Sequence, residues 1–344
     1  MRFKTASAPH LSSPDTVSIL MRRVLWALVP GTAVLTAFFG IGVLSNLVLA
    51  ITLCLAFESA SLALRHRPLR PFLSDYSAVV TAWLLAVALP PLSPWWLIAV
   101  ASGFAVVVAK QLYGGLGYNP FNPAMVGYVV VLIAYPAELT SWVAPLGLNG
   151  SLNGPPPTME ALVSVLDGGA ADWDGATAAT VLDLVRTETG RGRMLSEVTT
   201  LPAFGWLGGR GWEWANLAFL AGGLWLLQRG VIQWQIPTGM LGSLCLLSGI
   251  FWMVDPEGFA TPLFHVIGGA TLLGAFFIAT DPVSAATTPR GRILYGMGIG
   301  ILTYVIRAWG GYPDGVAFAV LLMNAVAPTL DYYTQPRVFG HGGR

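Results

Sequence analysis

Ten apolar runs, joined by turns in which Lys and Arg gather at every second junction, constrain this chain more than any other feature. The runs cover about 24–40, 41–64, 76–91, 94–110, 124–137, 213–228, 237–254, 264–280, 293–309 and 315–332. A bilayer is crossed by about 20 apolar residues in helical form. Backbone polar groups in lipid must be paired within the segment, so helices are the natural element. The runs are rich in Leu, Ala, Gly and Val without strict alternation, which argues against a barrel. Several are short, which predicts tilted or broken helices. Only 10% of the 344 residues are charged and 55% are hydrophobic. A soluble domain carries about 25% charged residues. The expected fold is an all-α integral membrane protein of about ten transmembrane helices.

The charges predict an orientation. Arg2, Lys4, Arg22 and Arg23 precede the first run. Arg65, Arg67 and Arg70 follow the second, Lys110 the fourth, Arg229 the sixth, Arg290 and Arg292 the eighth, and Arg337 and Arg344 the last. The turns after runs one, three and seven have none. Both termini are therefore expected in the cytoplasm. Arg307 breaks the pattern. It stands in "VIRAWGGYPDGVAFAVLLMNAVAP", which parallels "AKQLYGGLGYNPFNPAMVGYVVVLIAYP" around Lys110. In both, a basic residue precedes an aromatic and a Gly-Gly pair. Five runs separate the copies, so they form two inverted five-helix repeats, an arrangement that places sites near the membrane middle. Net charge is +1, which gives no reason to expect a nucleic-acid partner. Cys54 and Cys245 sit alone inside apolar runs and are expected to be packing residues. The polar N-terminal arm leads into a span without a small-residue cleavage site, so no cleavable signal peptide is expected.

Three segments follow: a membrane half over 1–137, a hydrophilic loop over 138–212, and a second membrane half over 213–344. The loop is expected to face the periplasm. It holds "NGSLNGPPP", "LDGGAADWDGATAATVLD" and "TETGRGR". Long loops of this kind are usually functional or disordered. "ATAATVLDLVRTETG" predicts a short helix with Asp174 near its N-terminus and Gly190 as its stop. Taken alone, its threonines are ordinary helix-start residues.

The blocks "GATLLGAFFIATDPVSAATTPRGR", "AKQLYGGLGYNPFNPAMVGYVVVLI" and "GGYPDGVAFAVLLMNAVAPTLDYYTQPRVFGH" resemble the D subunits of the Rnf complex, the ion-translocating ferredoxin–NAD oxidoreductase of prokaryotic membranes. The resemblance runs from "ASAPH" to "PRVFGH". The B subunit of the sodium-pumping NADH–quinone oxidoreductase is related. The resemblance implies FMN joined through its phosphate to a threonine on the outer side of the membrane, within Asp-Gly-x-Ser/Thr-Gly-Ala-Thr-x-Leu. In "DGATAATVLD" that frame opens at Asp174-Gly175, puts Thr177 in the Ser/Thr place, Ala179-Thr180 in the Ala-Thr pair, and Leu182 at the leucine, with Asp183 following. Thr180 is then the flavin-bearing residue and Thr177 the second choice. Ala178 stands where glycine is commonest. A threonine hydroxyl needs activation to act as a nucleophile, which implies a separate flavin transferase; small neighbours leave it room.

The resemblance also implies a second, non-covalent flavin, riboflavin. Candidate walls are the "QLYGGLGYNPFNP" turn and the start of run three, with Tyr113, Tyr118 and Phe121 able to stack on the ring or simply to sit as interface aromatics. Implied partners are the A, B, C, E and G subunits, above all the FMN-carrying G subunit, in a bacterial inner membrane. Acids in lipid are costly unless paired or hydrated. Glu58 and Asp281 are candidates for an ion path; the alternative for Asp281 is pairing with Arg290 or Arg292. Asp75 and Asp331 read as paired surface acids, and His265 as an interfacial polar residue. No metal site is expected. The rival reading is a secondary transporter, which would need no covalent redox group.

Overall fold

A computed structural model describes residues 16–147, 154–168, 177–312 and 314–335. Each of the ten apolar runs is helical. Helices α1 (Val17–Phe39), α2 (Gly42–Leu64), α3 (Ser77–Ala88), α4 (Trp95–Gly103, continuing as a π-helix over Phe104–Gln111) and α5 (Pro123–Ala134) form the first half. Helices α6 (Thr158–Leu166) and α7 (Val181–Gly190) belong to the hydrophilic segment. The second half has α8 (Trp212–Gln228), α9 (Gln235–Val254), α10 (Pro262–Ile267), α11 (Thr271–Leu273, continuing as a π-helix over Gly274–Ile278), α12 (Pro289–Trp309) and α13 (Val316–Tyr333). Four of these, α1, α2, α9 and α13, are long and apolar enough to cross a membrane. The eighth run is broken, as short runs with internal Gly predict: Gly269 takes φ +60° between α10 and α11.

The two halves pack on one another through α1 with α8 and α5 with α13. Close approach needs small residues, because lipid offers no hydrophobic drive between helices. At the α9–α12 crossing, a Cβ on Gly300 would lie 2.2 Å from the Met240 carbonyl oxygen, and one on Gly296 would lie 2.4 Å from that of Ile236. We predict that Gly300→Val forces these helices apart. Overpacking costs about 1–3 kcal/mol or more, so the melting temperature in detergent should fall well below that of wild type; an unchanged melt would contradict the contact.

A polar node fixes the centre of the bundle. Asn122 caps α5 by accepting from the Met125 N–H (3.3 Å), with Pro123 at the first helical position. Its own N–H donates to Asn324 Oδ1 at 3.0 Å, and its Nδ2 donates to the Ile278 carbonyl at 3.2 Å. Asn324 Nδ2 donates to Tyr295 Oη at 2.6 Å and to the Ser284 carbonyl. All three side chains are buried, and the bonds tie α5 to α13 and to the π-helical end of α11, and α13 to α12 and to the turn before it.

The loops separate into two ends. At one end lie Arg65 and Arg67, which donate to the carbonyls of Gln111 and Gly114, and Asp331, which accepts from Thr287 and Thr288. At the other end the Leu146 N–H donates to the Phe38 carbonyl, Trp96 to Gly168, and Arg186 to Gly311. The hydrophilic segment covers this second end. The expected all-α character needs one addition: Trp142–Val143 (β1) and Thr177–Ala178 (β2) pair antiparallel, two residues each.

Two charge readings are corrected. Lys110, which the charge pattern places in a turn, is inside the π-helical end of α4. It is 2% exposed and 2.6 Å from Glu58 Oε1, itself 1% exposed. Asp281 accepts from Ser284 Oγ (2.7 Å) and the Val283 N–H, not from Arg290 or Arg292. Asp75 caps the start of α3 through Ser77. Cys54 is buried in the main core, in keeping with a packing role. His265 is buried rather than interfacial.

Candidate functional site

Thr180 is the N-cap of α7. Its backbone is extended (φ −66°, ψ 155°), and its Oγ1 accepts from the Asp183 N–H at 3.4 Å. The helix therefore starts at Val181, five residues into the stretch 176–190 expected from sequence, and it ends at Gly190 as expected. Threonine is a favoured N-cap because its oxygen satisfies one of the free first-turn N–H groups. Leu182 anchors this corner. It is buried with Val181, Leu195, Ala260 and Phe264 in a small apolar cluster separate from the main core. Outside that cluster, Ser196 donates through N–H and Oγ to Glu257, holding that carboxyl below the usual carboxylate range.

Thr180 stands on the wall of an apolar pocket of about 1120 Å³, counted with its open mouth. Aromatic side chains (Tyr128, Trp142, Trp212, Tyr312) and aliphatic ones from α1, α3 and α5 line it. Asp183 and Asp314 are its carboxylates, and Asn216 lies on the wall. Trp142 and Trp212 meet edge to face, 4.7 Å between ring centres, and both flank Thr180. Asp314 is held rigidly: Oδ1 accepts from Arg307 at 3.0 Å and Oδ2 from the Ala270 N–H at 2.8 Å. Arg307 is buried and donates also to the carbonyls of His265 and Gly268 and to Thr271 Oγ1.

Of the motif residues, Thr180, Leu182 and Asp183 come together on this pocket. Ala179 is exposed beside it. Thr177 lies on β2 opposite Val143. Asp174 and Gly175 are outside the described residues. The sequence reading missed Trp142, Trp212, Tyr128, Tyr312 and Asn216, and it read Asp314 only as one of the acids at span ends. Asp314 had a signal, since it follows the Gly-Gly pair that repeats around Lys110. The aromatics had none that separates them from ordinary interface residues.

A second pocket, about 890 Å³, opens at the opposite end. The two candidate walls meet here: the turn contributes Leu116, Asn119 and Asn122, and the start of α3 contributes Ser77, Val80 and Thr81. Lys110 and Asp281 line it too. Asn119 Oδ1 is buried there without a partner among the described residues. Tyr113 and Tyr118 are largely exposed and do not line this pocket, nor does the half-buried Phe121. Adjacent residues divide the two pockets, Ala124 and Phe277 facing this one, Met125 and Ile278 the first. Among the described residues, no group of His, Cys, Asp and Glu side chains could hold a metal ion.

Residues 4–340 match the model of the NQR2, RnfD, RnfE family. This chain belongs to the NQR2, RnfD, RnfE family. Relatives of this family member are similar over nearly their whole length. The D subunit of the ion-translocating oxidoreductase complex of Vibrio vulnificus (strain YJ016) is 51% identical, covering 99% of this chain and 100% of the relative. The proteins of the same name from Ectopseudomonas mendocina (strain ymp) and Pseudomonas paraeruginosa (strain DSM 24068 / PA7) are 54% and 53% identical, each covering 99% of this chain and 97% of the relative.

The pocket suits a flavin joined to Thr180. Ligand sites are concave and mostly apolar, with a few polar groups that fix orientation. A helix N-terminus favours a phosphate through its free N–H groups and dipole. Thr180 supplies both the hydroxyl and that helix start, on the rim of an aromatic-lined pocket.

Proposed function

We propose that this chain is the membrane subunit of a redox-driven ion translocase, with FMN esterified through its phosphate to Thr180. The observation that carries this reading is the Thr180 hydroxyl at a helix start on the wall of the large apolar pocket, in a chain about half identical to proteins named for ion-translocating oxidoreduction. FMN supplies electron transfer, one or two electrons at a time; the protein binds, orients and shields it. Leu182 fixes the attachment point, the Trp142–Trp212 pair bounds the space for the ring, and Asp314 is held beside it by Arg307. The second flavin, riboflavin, is assigned to the opposite pocket, where the unpartnered Asn119 Oδ1 can accept from a ring N–H.

In this reading all ten helical runs span the bacterial inner membrane as two inverted repeats. Both termini are cytoplasmic and the Thr180 segment periplasmic. The covalent flavin exchanges electrons with the FMN of the G subunit, in a complex that also holds the A, B, C and E subunits and carries electrons between ferredoxin and NAD. That flow drives Na⁺ or H⁺ across the membrane, with Asp281 and Glu58 as the acids proposed for the ion route. A flavin transferase matures the protein.

The test is a denaturing gel of the protein, purified from a host that has the transferase, viewed under ultraviolet light. A yellow-fluorescent band at its position is expected. Absence of the band would favour a transporter without a redox group.

A further inference from the structure

We propose that Arg210 is the counter-cation of the phosphodiester on Thr180; this rests on the flavin reading above. Thr180 borders a second, smaller space on its other side, about 320 Å³, shared with Ala178, Ala179, Trp142, Trp212 and Arg210. Arg210 is the charged residue of that space. The large pocket has the opposite character: its charged lining residues are Asp183 and Asp314. A phosphodiester keeps one negative charge. The Asp183 carboxylate repels it from the large pocket, where Asp314 is already paired with Arg307, while Arg210 and the free N–H groups of the ten-residue α7 attract it the other way. The charges thus sort the group, ring into the large pocket and phosphate into the small one.

Arg210 is held for this. Its N–H donates to the Ala203 carbonyl at 3.0 Å, next to the Phe204–Gly209 bridge. One guanidinium nitrogen donates to the Gly147 carbonyl, which pins the side chain beside β1. A guanidinium has five N–H donors in a planar fork that matches phosphate oxygens. The Gly147 bond leaves most of that fork for a ligand.

Attachment places the same charge in the same spot. The Thr180 Oγ1–P bond forms as the P–O bond to the leaving group of an anhydride-activated FMN donor breaks, and the hydroxyl proton leaves with that group. Arg210 neutralises the phosphoryl oxygens throughout.

The test follows flavin attachment over time on the assembled complex, by in-gel fluorescence per unit of this protein, in wild type, Arg210→Gln and Arg210→Lys. Glutamine keeps an N–H donor for Gly147 but no charge; lysine keeps the charge. A charge-assisted contact corresponds to about tenfold or more in rate. Arg210→Gln should slow attachment by that factor, with Arg210→Lys much closer to wild type. Equal rates in wild type and Arg210→Gln overturn the proposal, as does equal loss in both variants, which would mark a merely structural clip. If wild type itself carries no flavin, the flavin reading fails, whatever Arg210 does.

Discussion

Thr180→Val should remove the covalent flavin completely while leaving the protein folded and assembled. Valine matches threonine in shape but has no hydroxyl to esterify. The structural loss is the N-cap alone, because Oγ1 accepts from the Asp183 N–H. A lost cap costs about 1 kcal/mol, and α7 is also held by the burial of Val181 and Leu182. The effect should therefore be all-or-none on the gel and small on the melting curve. Thr180→Ser restores both the hydroxyl and the cap and should restore the band. Thr177→Val should keep it: Thr177 belongs to β2, where pairing with Val143 occupies the backbone. A band that survives Thr180→Val and disappears in Thr177→Val would place the flavin in the other frame.

The second large effect is expected at the buried ion pair. Lys110→Met leaves the Glu58 carboxylate buried with no cation, and Glu58→Gln leaves the ammonium in the same position. Breaking one side of such a pair costs about 3–5 kcal/mol, whereas replacing both sides with well-packed neutral groups is often close to neutral. Lys110 Nζ also donates to Ser77 Oγ at 2.7 Å, and Gln111 Nε2 donates to the same Glu58 oxygen at 3.0 Å. The pair thus ties α4 to both α2 and α3. We expect either single variant to lower the yield of folded protein and its melting temperature sharply, and the Glu58→Gln, Lys110→Met double variant to recover much of both. A double variant as unstable as the sum of the singles would show that the two charges do not share one interaction.

Helix positions were legible in the sequence because apolar runs in lipid have one economical solution, and each run is helical. The break in run eight had its signal in Gly268-Gly269. Lys110 was misread because its neighbours downstream, Tyr113-Gly114-Gly115, look like a turn; the π-helix carries the chain past the point where an apolar run would be judged to end. The corrective signal was Glu58, a carboxylate inside run two that had to find a cation. In the site, Thr180 was singled out by the frame that the family resemblance implies, which closes on Leu182; that Thr180 caps a helix was not legible from spacing. The Trp142–Trp212 wall and Arg210 were invisible, since they come to the pockets around Thr180 from a strand, a helix start and a loop tens of residues away.

The central claim is one bond, between Thr180 Oγ1 and a flavin phosphate. Mass spectrometry of the Thr180-containing peptide from purified, active complex tests it most directly. The expected peptide is heavier by one FMN less one water, with fragment ions that place the addition on Thr180. An unmodified peptide from fully active complex, or an addition confined to Thr177, would contradict it.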